Sequence, residues 1–153
     1  MEDGAAPPPS RTRRLYERLL KIRLFYVGKP RSKPLNEAAD EYAKRTTRFC
    51  RFEARELKSE RSAPGKGKQL RIVLDPAGKP ATSEELARWI EQAGRDVDFF
   101  IGGADGWSDD FRASADRLLA LSKMTLPHEL ARVFLAEQIY RAFTILRGHP
   151  YPR

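Results

Sequence analysis

The sequence predicts a single α/β domain with a largely parallel sheet, and three observations carry this prediction. The chain has 153 residues, a length that suits one domain. Short apolar stretches typical of strands alternate with helical stretches, as they do in βαβ units. One cysteine and two histidines exclude a disulfide framework and a Cys-rich or multi-histidine metal centre, so a hydrophobic core must hold the fold.

The first half of the chain predicts a strand, a helix and two further strands. Ile22–Val27 is an apolar run, and residues 35–45 then place apolar side chains at helical spacing. Phe49–Leu57 alternates apolar and polar residues, which is typical of a strand with one solvated face. Arg71–Leu74 is a short apolar strand. We expect it to end at Asp75–Pro76, because proline interrupts strands.

Capping residues mark the helices of the second half. Thr82 and Glu85 form a capping box that opens a helix, and Gly94 ends it. Pro127 suits the first position of a long final helix that Gly148 ends. The other predicted elements are a strand at Val97–Ile101, a short helix capped by Ser108 and a last strand at Leu118–Leu121.

Basic charge is concentrated at the two ends of a chain whose net charge is +8. Residues 1–33 carry nine basic and three acidic side chains, whereas residues 70–110 carry four basic and nine acidic ones. This layout is consistent with a polyanionic partner, or equally with ordinary solvated faces. Residues 1–19 are expected to form a flexible basic arm, and residues 20–153 the domain. No apolar run approaches the ~20 residues that cross a bilayer, so we expect a cytoplasmic protein without a membrane segment.

The segment Gly102–Gly106 is a candidate ligand loop. It follows a strand and precedes a helix, an arrangement that lets backbone approach a nucleotide-like ligand. Its spacing is neither that of the dinucleotide fingerprint nor that of a P-loop, and a simple tight turn is the alternative. Nearby acidic residues favour a cationic ligand such as a sulfonium over a phosphate. These residues are Asp75, Asp105, Asp109 and Asp110.

The final helix and the tail supply further candidates. The helix is apolar on most of its circumference, so we expect the sheet to cover one side and a second subunit the other. Glu137 and Arg141 are spaced to pair, either at such an interface or as an ordinary surface ion pair. In the tail, Tyr151 can stack on a base and Arg153 can bind phosphate. His149 lies beside them.

Several strings of residues, in this order, resemble one family. The most specific are Leu121-Ser-Lys-Met-Thr-Leu-Pro-His128 and His149-Pro-Tyr151. The others are Ile22–Gly28, Val73-Leu-Asp75-x-x-Gly78-Lys79, Phe100-Ile-Gly-Gly-x-x-Gly106, Arg132-Val133 and Glu137-Gln-Ile-Tyr-Arg-Ala142. Together they resemble the ribosomal RNA large subunit methyltransferase H family, a minimal member of the SPOUT (α/β-knot) class, from about residue 20 to the end.

The resemblance implies a trefoil knot in the C-terminal half, which most folds avoid, and a homodimer. It also implies S-adenosyl-L-methionine as methyl donor and N3 of a pseudouridine in 23S rRNA, on the assembled ribosome, as acceptor. No metal is implied. The implied cofactor positions are Leu74, Gly102, Gly103, Leu121, Ser122, Lys123, Met124, Thr125 and Leu126, and the implied RNA-binding positions are His149, Tyr151 and Arg153.

The chain departs from the family pattern in three places. Lys58–Lys68 is a short basic loop where the family has a longer segment, usually a helix. The N-terminal arm is additional, and Pro152 replaces the usual histidine after the tyrosine. All three departures affect RNA docking more than the cofactor loops.

Methylation of N3 requires the loss of a proton from a weak imide acid, so a general base is useful. His128 is a candidate base, although such a histidine is also a common structural hydrogen-bonding residue. Alternatively, Arg141 or Arg153 stabilises the imide anion while water takes the proton. The residue pattern leaves these alternatives open.

Two other functions remain open at this point. One is a non-catalytic RNA-binding, ribosome-associated module, favoured by the net charge, the Arg11–Arg14 cluster and the basic residues Lys44, Arg45 and Arg48. The other is a small-molecule methyltransferase on the same scaffold.

Overall fold

The computed structural model describes Arg11 and residues 19–151, and in this part of the chain one five-stranded sheet is packed against helices. All strand pairings are parallel, in the order β2-β1-β4-β3-β5. The strands are β1 Lys21–Val27, β2 Arg51–Leu57, β3 Leu70–Pro80, β4 Val97–Ile101 and β5 Arg117–Ala120, and the α-helices are α1 Lys33–Thr46, α2 Ser83–Ala93, α3 Asp109–Ala113 and α4 His128–Arg147. The predicted α/β class with a parallel sheet is confirmed.

Local interactions explain where the helices begin and end. The side chains of Ser32, Thr82 and Ser108 each accept a hydrogen bond from a backbone N–H in the first turn of their helix. Gly94 and Gly148 end α2 and α4 in the left-handed conformation, at φ of 60° and 62°. The predicted Thr82 cap and both glycine stops are therefore confirmed, although the structure gives only the bond from the Glu85 N–H to Thr82 Oγ1 of the capping box.

Strand β3 runs further than we expected from Asp75–Pro76, which does not end it. Its pairing with β5 shifts register between Leu74 and Lys79, so residues 75–78 form a bulge and pairing then resumes. A Cβ on Gly78 would lie 2.8 Å from the carbonyl carbon and oxygen of Leu118, so glycine permits the close approach of the two strands. The bulge tolerates the proline that a regular ladder would exclude.

The strand predicted at Val97–Ile101 has the predicted bounds, whereas other boundaries differ by one or two residues. Strand β2 begins at Arg51 instead of Phe49, because the N–H groups of Phe49 and Cys50 still bond to the carbonyl of Thr46 at the end of α1. Strand β5 covers Arg117–Ala120, and Pro127 precedes the first residue of α4 as its cap. Lys58–Lys68 is a loop, as expected, with one short 3₁₀ turn at Glu60–Ser62.

The two faces of the sheet are covered differently. The larger hydrophobic cluster joins one face to α1, α2 and α4, with Phe99, Leu135, Ile139 and Phe143 fully buried in it. On the other face, Phe25, Phe100 and Trp107 form a smaller cluster beneath α3. The long helices therefore leave the second face to α3 and the neighbouring loops.

Helix α4 packs along both α1 and α2. We expected a second subunit to cover the side of α4 that faces away from the sheet. In the structure α1 and α2 of the same chain cover much of that side. The remaining apolar exposure on α4 is at Leu130 and Phe134, each 39% accessible. The C-terminal trefoil knot stays a prediction of the family resemblance. Apart from Arg11 and Leu19, the predicted basic arm lies outside the described residues.

Candidate functional site

A cavity of about 370 Å³ lies at the carboxyl ends of β4 and β5 and beside the bulge of β3. In parallel sheets this edge is where ligands bind, and the volume falls within the range of ligand pockets. The cavity brings together all nine predicted cofactor positions: Leu74, Gly102, Gly103, Leu121, Ser122, Lys123, Met124, Thr125 and Leu126. Three segments that are distant in sequence thus meet around one space.

The glycine loop forms one wall of the cavity with its backbone. Gly106 adopts a φ of +68° and donates its N–H to the Gly103 carbonyl at 3.1 Å, which closes a turn. A Cβ on Gly102 would lie 3.1 Å from Nε1 of Trp107, so the indole packs directly against the loop. That buried Nε1 has no hydrogen-bond partner in the described part of the chain. The loop therefore exposes backbone groups to the cavity, and the Nε1–H of the adjacent Trp107 is a hydrogen-bond donor beside it that the described residues leave unused.

Turns in the other two segments are held by side chains. Ser122 Oγ accepts the N–H of Met124 at 2.9 Å, and Asp75 Oδ1 accepts the N–H of Ala77 at 2.7 Å. Such turns fix loop backbone without a regular ladder. Met124 itself is 80% exposed, so its side chain forms part of the rim of the cavity.

The acidic residues that favoured a cationic ligand do not all lie at the site. Asp75 lines the cavity, but its carboxylate is paired with Arg112 at 2.5 Å. Arg112 also lies 3.5 Å from Asp109, which is fully exposed. Asp105, Asp109 and Asp110 are absent from the cavity lining. The negative charge at the wall is therefore one carboxylate, largely offset by a guanidinium.

His128 is the first residue of α4 and lines the cavity. Its neighbour Glu129 accepts hydrogen bonds from the backbone N–H groups of Arg31 at 2.6 Å and Ser32 at 3.0 Å. These bonds hold the pKa of Glu129 below its ordinary value. One helical turn later, the buried Arg132 stacks 4.0 Å from the centre of the Tyr26 ring. The start of α4, and His128 with it, is thus anchored to β1 and α1.

The tail candidates lie at the other end of α4. Tyr151 donates its hydroxyl to Glu137 Oε1 at 3.1 Å, and Arg141 donates Nε to the same oxygen at 2.9 Å. Arg141 is thirteen residues after His128, or about 20 Å along the helix axis. Within one chain the structure therefore does not bring Arg141 or Tyr151 to the cavity. His149 is exposed, with its ring 6.1 Å from that of Phe49, and Arg153 lies outside the described residues.

Tyr151 and Arg141, which both contact Glu137, have raised pKa values. Burial, followed by the negative charge of Glu137, raises the pKa of Tyr151 to about 12. The hydrogen bond to Glu137 raises the pKa of Arg141 above its ordinary value. Both groups therefore keep their protons at neutral pH, and neither can serve as a base there.

Sequence reasoning missed several residues of the cavity wall, chiefly Trp107, Pro127 and Ala131. Trp107 directly follows the glycine loop, and that position was the available signal. Ala131 lines the cavity because it lies one turn after His128 on α4, which the apolar pattern of the helix did not distinguish from core. Among the described residues, no cluster of acidic, histidine or cysteine side chains could hold a metal ion, and no helix there has the length and apolarity to span a membrane.

Comparison with known proteins identifies the class. A family model described as "Predicted SPOUT methyltransferase" matches residues 20–152. The solved structure of a probable methyltransferase from Bordetella pertussis Tohama I has the same fold. It aligns with a TM-score of 0.50 at 14% identity, over 84% of this chain and 95% of that one. The fold with its cavity of strand-end loops is thus that of a SPOUT methyltransferase.

Curated relatives narrow the class to one family. The chain is 47% identical to ribosomal RNA large subunit methyltransferase H of Solibacter usitatus, over 88% of this chain and 100% of that protein. It is 40% identical to the protein of that name from Koribacter versatilis, over 86% of this chain and 97% of that protein. The chain belongs to the ribosomal RNA large subunit methyltransferase H family.

Proposed function

We propose that this protein transfers a methyl group from S-adenosyl-L-methionine to N3 of a pseudouridine in 23S rRNA on the assembled ribosome. The observation that carries the proposal is the meeting of all nine predicted cofactor positions around one 370 Å³ cavity. The names of the relatives, which specify ribosomal RNA of the large subunit, support the acceptor. An enzyme acting on ribosomes works in the cytoplasm.

The residues present fit the cofactor. Gly102 and Gly103 expose backbone to the cavity, Leu74, Leu121 and Leu126 provide apolar walls, and the Nε1 donor of Trp107 is unused in the described chain. Such walls exclude water and hold the two reactants in line. When bound, S-adenosyl-L-methionine supplies an activated methyl group on a sulfonium, so the transfer itself requires no metal.

Among the cavity-lining groups, His128 is the best placed to accept the N3 proton. Asp75 is the other ionisable group there that could do so, but it is engaged by Arg112 and by the N–H of Ala77. Tyr151 and Arg141 hold their own protons at neutral pH. Arg141 retains the role of an electrostatic stabiliser of the imide anion, provided that it reaches the site from a second chain.

A homodimer would bring that second chain to the site. The exposed Phe134 borders a cleft of about 200 Å³ with Leu86, Leu119 and Leu121, and Leu121 also lines the cofactor cavity. A two-fold partner seated there, with its α4 antiparallel to this one, would place its tail end beside this cavity. Isologous pairing of one patch with itself is the commonest way to form a dimer. We expect a dimer because Arg141 lies far from His128 within one chain, so that only a second chain can bring an Arg141 to the cavity.

A transfer assay tests the proposal. Ribosomes lacking the modification are incubated with the purified protein and a donor carrying a labelled methyl group, and the 23S rRNA is digested to nucleosides. We expect label in N3-methylpseudouridine with the wild-type chain and none after deletion of residues 149–153, although the deletion variant still binds the cofactor. Cofactor binding by the wild-type chain without any label in rRNA would contradict the proposal.

A further inference from the structure

Residues 28–33, which comprise the loop after β1 and the first residue of α1, expose Lys29, Arg31 and Lys33. They form the basic loop, which is distinct from the loop at Lys58–Lys68. Lys33 lies 4.0 Å from the carboxylate of Glu37. Lys29 and Arg31 form no ion pair within 4.0 Å with a carboxylate of the described residues. The Glu129 carboxylate, which accepts the N–H of Arg31, offsets part of this charge, and the loop keeps an excess of positive charge.

The basic loop borders the cofactor cavity. Gly28 and Pro30 of the loop line a small cleft whose other wall includes Gly102 and His128. Gly102 and His128 also line the cofactor cavity. A polyanion that delivers a nucleotide into that cavity from this side passes next to the basic loop.

The backbone of the basic loop is fixed from both ends. The N–H of Gly28 donates to the Leu57 carbonyl at 3.0 Å, and the carboxylate of Glu129 accepts the N–H groups of Arg31 and Ser32. Ser32 then caps α1, whose first turn contains no acidic residue. Since the backbone is held in place before binding, only the side chains must be ordered when a ligand arrives.

A second basic pair lies on the same edge of the sheet. Lys58 and Arg61 follow β2 and are exposed. Between them, Glu60 accepts the N–H of Ser108 at 2.7 Å and its hydroxyl at 2.6 Å. Ser108 directly follows the cavity residue Trp107, so this pair lies near the mouth of the cavity.

The basic cluster that the sequence offered for RNA binding lies elsewhere. Lys44, Arg45 and Arg48 are at the end of α1, just before β2 begins at Arg51. Arg51 pairs with Lys21, the first residue of β1. The cluster is therefore at the amino-terminal edge of the sheet, opposite the cavity.

We propose that the basic loop, together with Lys58 and Arg61, binds the phosphate backbone of RNA next to the nucleotide that enters the cavity. This inference rests on the proposed function, which makes RNA the acceptor. Phosphate contacts of this kind fix register and orientation while the chemistry is confined to the base. They also release counterions, so their number is measurable from the salt dependence of binding.

The experiment compares two double variants that each remove one lysine and one arginine. Lys29→Gln/Arg31→Gln removes charge beside the cavity, and Lys68→Gln/Arg95→Gln removes the same charge from exposed positions just before β3 and β4. Affinity for ribosomes lacking the modification is measured across a potassium chloride series. Affinity for S-adenosyl-L-methionine, measured by calorimetry, checks that each variant is folded with its cavity intact.

We expect the Lys29/Arg31 variant to lower the slope of log affinity against log salt by about 2, since each lost phosphate contact removes about 1. At physiological salt this corresponds to a loss of ribosome affinity of about tenfold or more. The Lys68/Arg95 variant should keep the wild-type slope, and both variants should keep the wild-type cofactor affinity.

Equal slopes for the two variants would overturn the proposal. A third variant, Lys44→Gln/Arg48→Gln, removes charge at the opposite edge of the sheet. If it lowers the slope as much as the Lys29/Arg31 variant does, or more, RNA binds at that opposite edge and the proposal is also overturned. A wild-type protein that binds ribosomes with the expected loop dependence but transfers no methyl group would contradict the proposed function alone. Failure of the wild-type protein to bind ribosomes would contradict both.

Discussion

Tyr151 and Glu137 illustrate how the fold changes individual residues. The phenol donates to Glu137 Oε1, the Tyr140 ring packs edge-on at 4.9 Å, and the Arg141 guanidinium lies 4.8 Å from the centre of the Tyr151 ring. These contacts dock Tyr151 on α4, although fraying near a terminus is the usual expectation. The Tyr151 side chain is therefore held in a defined position before any partner binds.

This docking predicts a titration at high pH. The pKa of Tyr151 is raised to about 12, whereas an unfolded tyrosine titrates near 10. The protonated phenol thus stabilises the native state fully below about pH 10, and that contribution is lost as pH rises to about 12. We expect ultraviolet titration to show a late tyrosinate component that Tyr151→Phe reduces, leaving a contribution from Tyr26, whose pKa is also raised by burial. A late component of undiminished size in Tyr151→Phe would contradict this prediction.

The cofactor positions implied by the family resemblance all line the cavity, whereas the catalytic candidates stay predictions. Gly102, Ser122 and Thr125 lie in contiguous motifs at strand ends, where topology alone determines which loops meet. Arg141 lies on a helix whose apolar pattern does not specify which face meets which neighbour. Its distance from His128 is a tertiary property, as is the pairing of Asp75 with Arg112.

Strand β3 shows how one element shapes the site. Its first five residues are buried between β4 and β5, and its bulge at residues 75–78 then turns Asp75 into the cavity wall. We expected a strand end at this point because proline usually interrupts a ladder. The renewed pairing of Lys79 and Pro80 with β5 could not be predicted locally, because it depends on the small volume of Gly78 against a strand about 40 residues further along the chain.

The bulge gives a stability prediction. Gly78→Ala would place a Cβ 2.8 Å from the backbone of Leu118, so β3 and β5 would have to separate. We expect the free energy of unfolding to fall by about 1–3 kcal/mol, the usual range for overpacking, as measured by urea denaturation. Gly65→Ala is the matched control, because no atom lies within 4 Å of its Cβ. If both variants unfold at the same urea concentration, the pairing of β3 with β5 does not require a glycine at position 78.

At the scale of the whole molecule, the fold class followed from alternation of elements, but the uneven covering of the sheet did not. The apolar circumference of α4 led us to expect a second subunit, whereas α1 and α2 of the same chain cover much of it. Periodicity shows that a face is buried and gives no information about what buries it. The surface left for a partner is the smaller patch around Leu130 and Phe134.

That patch predicts the assembly state. Phe134→Glu would place a charge in the proposed dimer interface, and burying an unpaired charge is strongly unfavourable. We expect sedimentation to show a dimer for the wild-type chain and a monomer for Phe134→Glu, which also loses methyl transfer. Leu19→Glu is the control, because Leu19 is 70% exposed and precedes β1. A Phe134→Glu protein that remains dimeric would place the interface elsewhere.

The central claim is that the three strand-end loops form the S-adenosyl-L-methionine site, and calorimetry with Gly103→Asp tests it most directly. A Cβ at Gly103 would lie 3.4 Å from Val27 Cγ1, an ordinary contact, so the variant should fold while it adds a negative charge to the loop that forms the cavity wall. We predict at least about tenfold weaker binding of the cofactor, a change of about 1.4 kcal/mol, and wild-type affinity for the control Gly65→Asp. Unchanged affinity in Gly103→Asp would show that the cofactor binds somewhere other than this cavity.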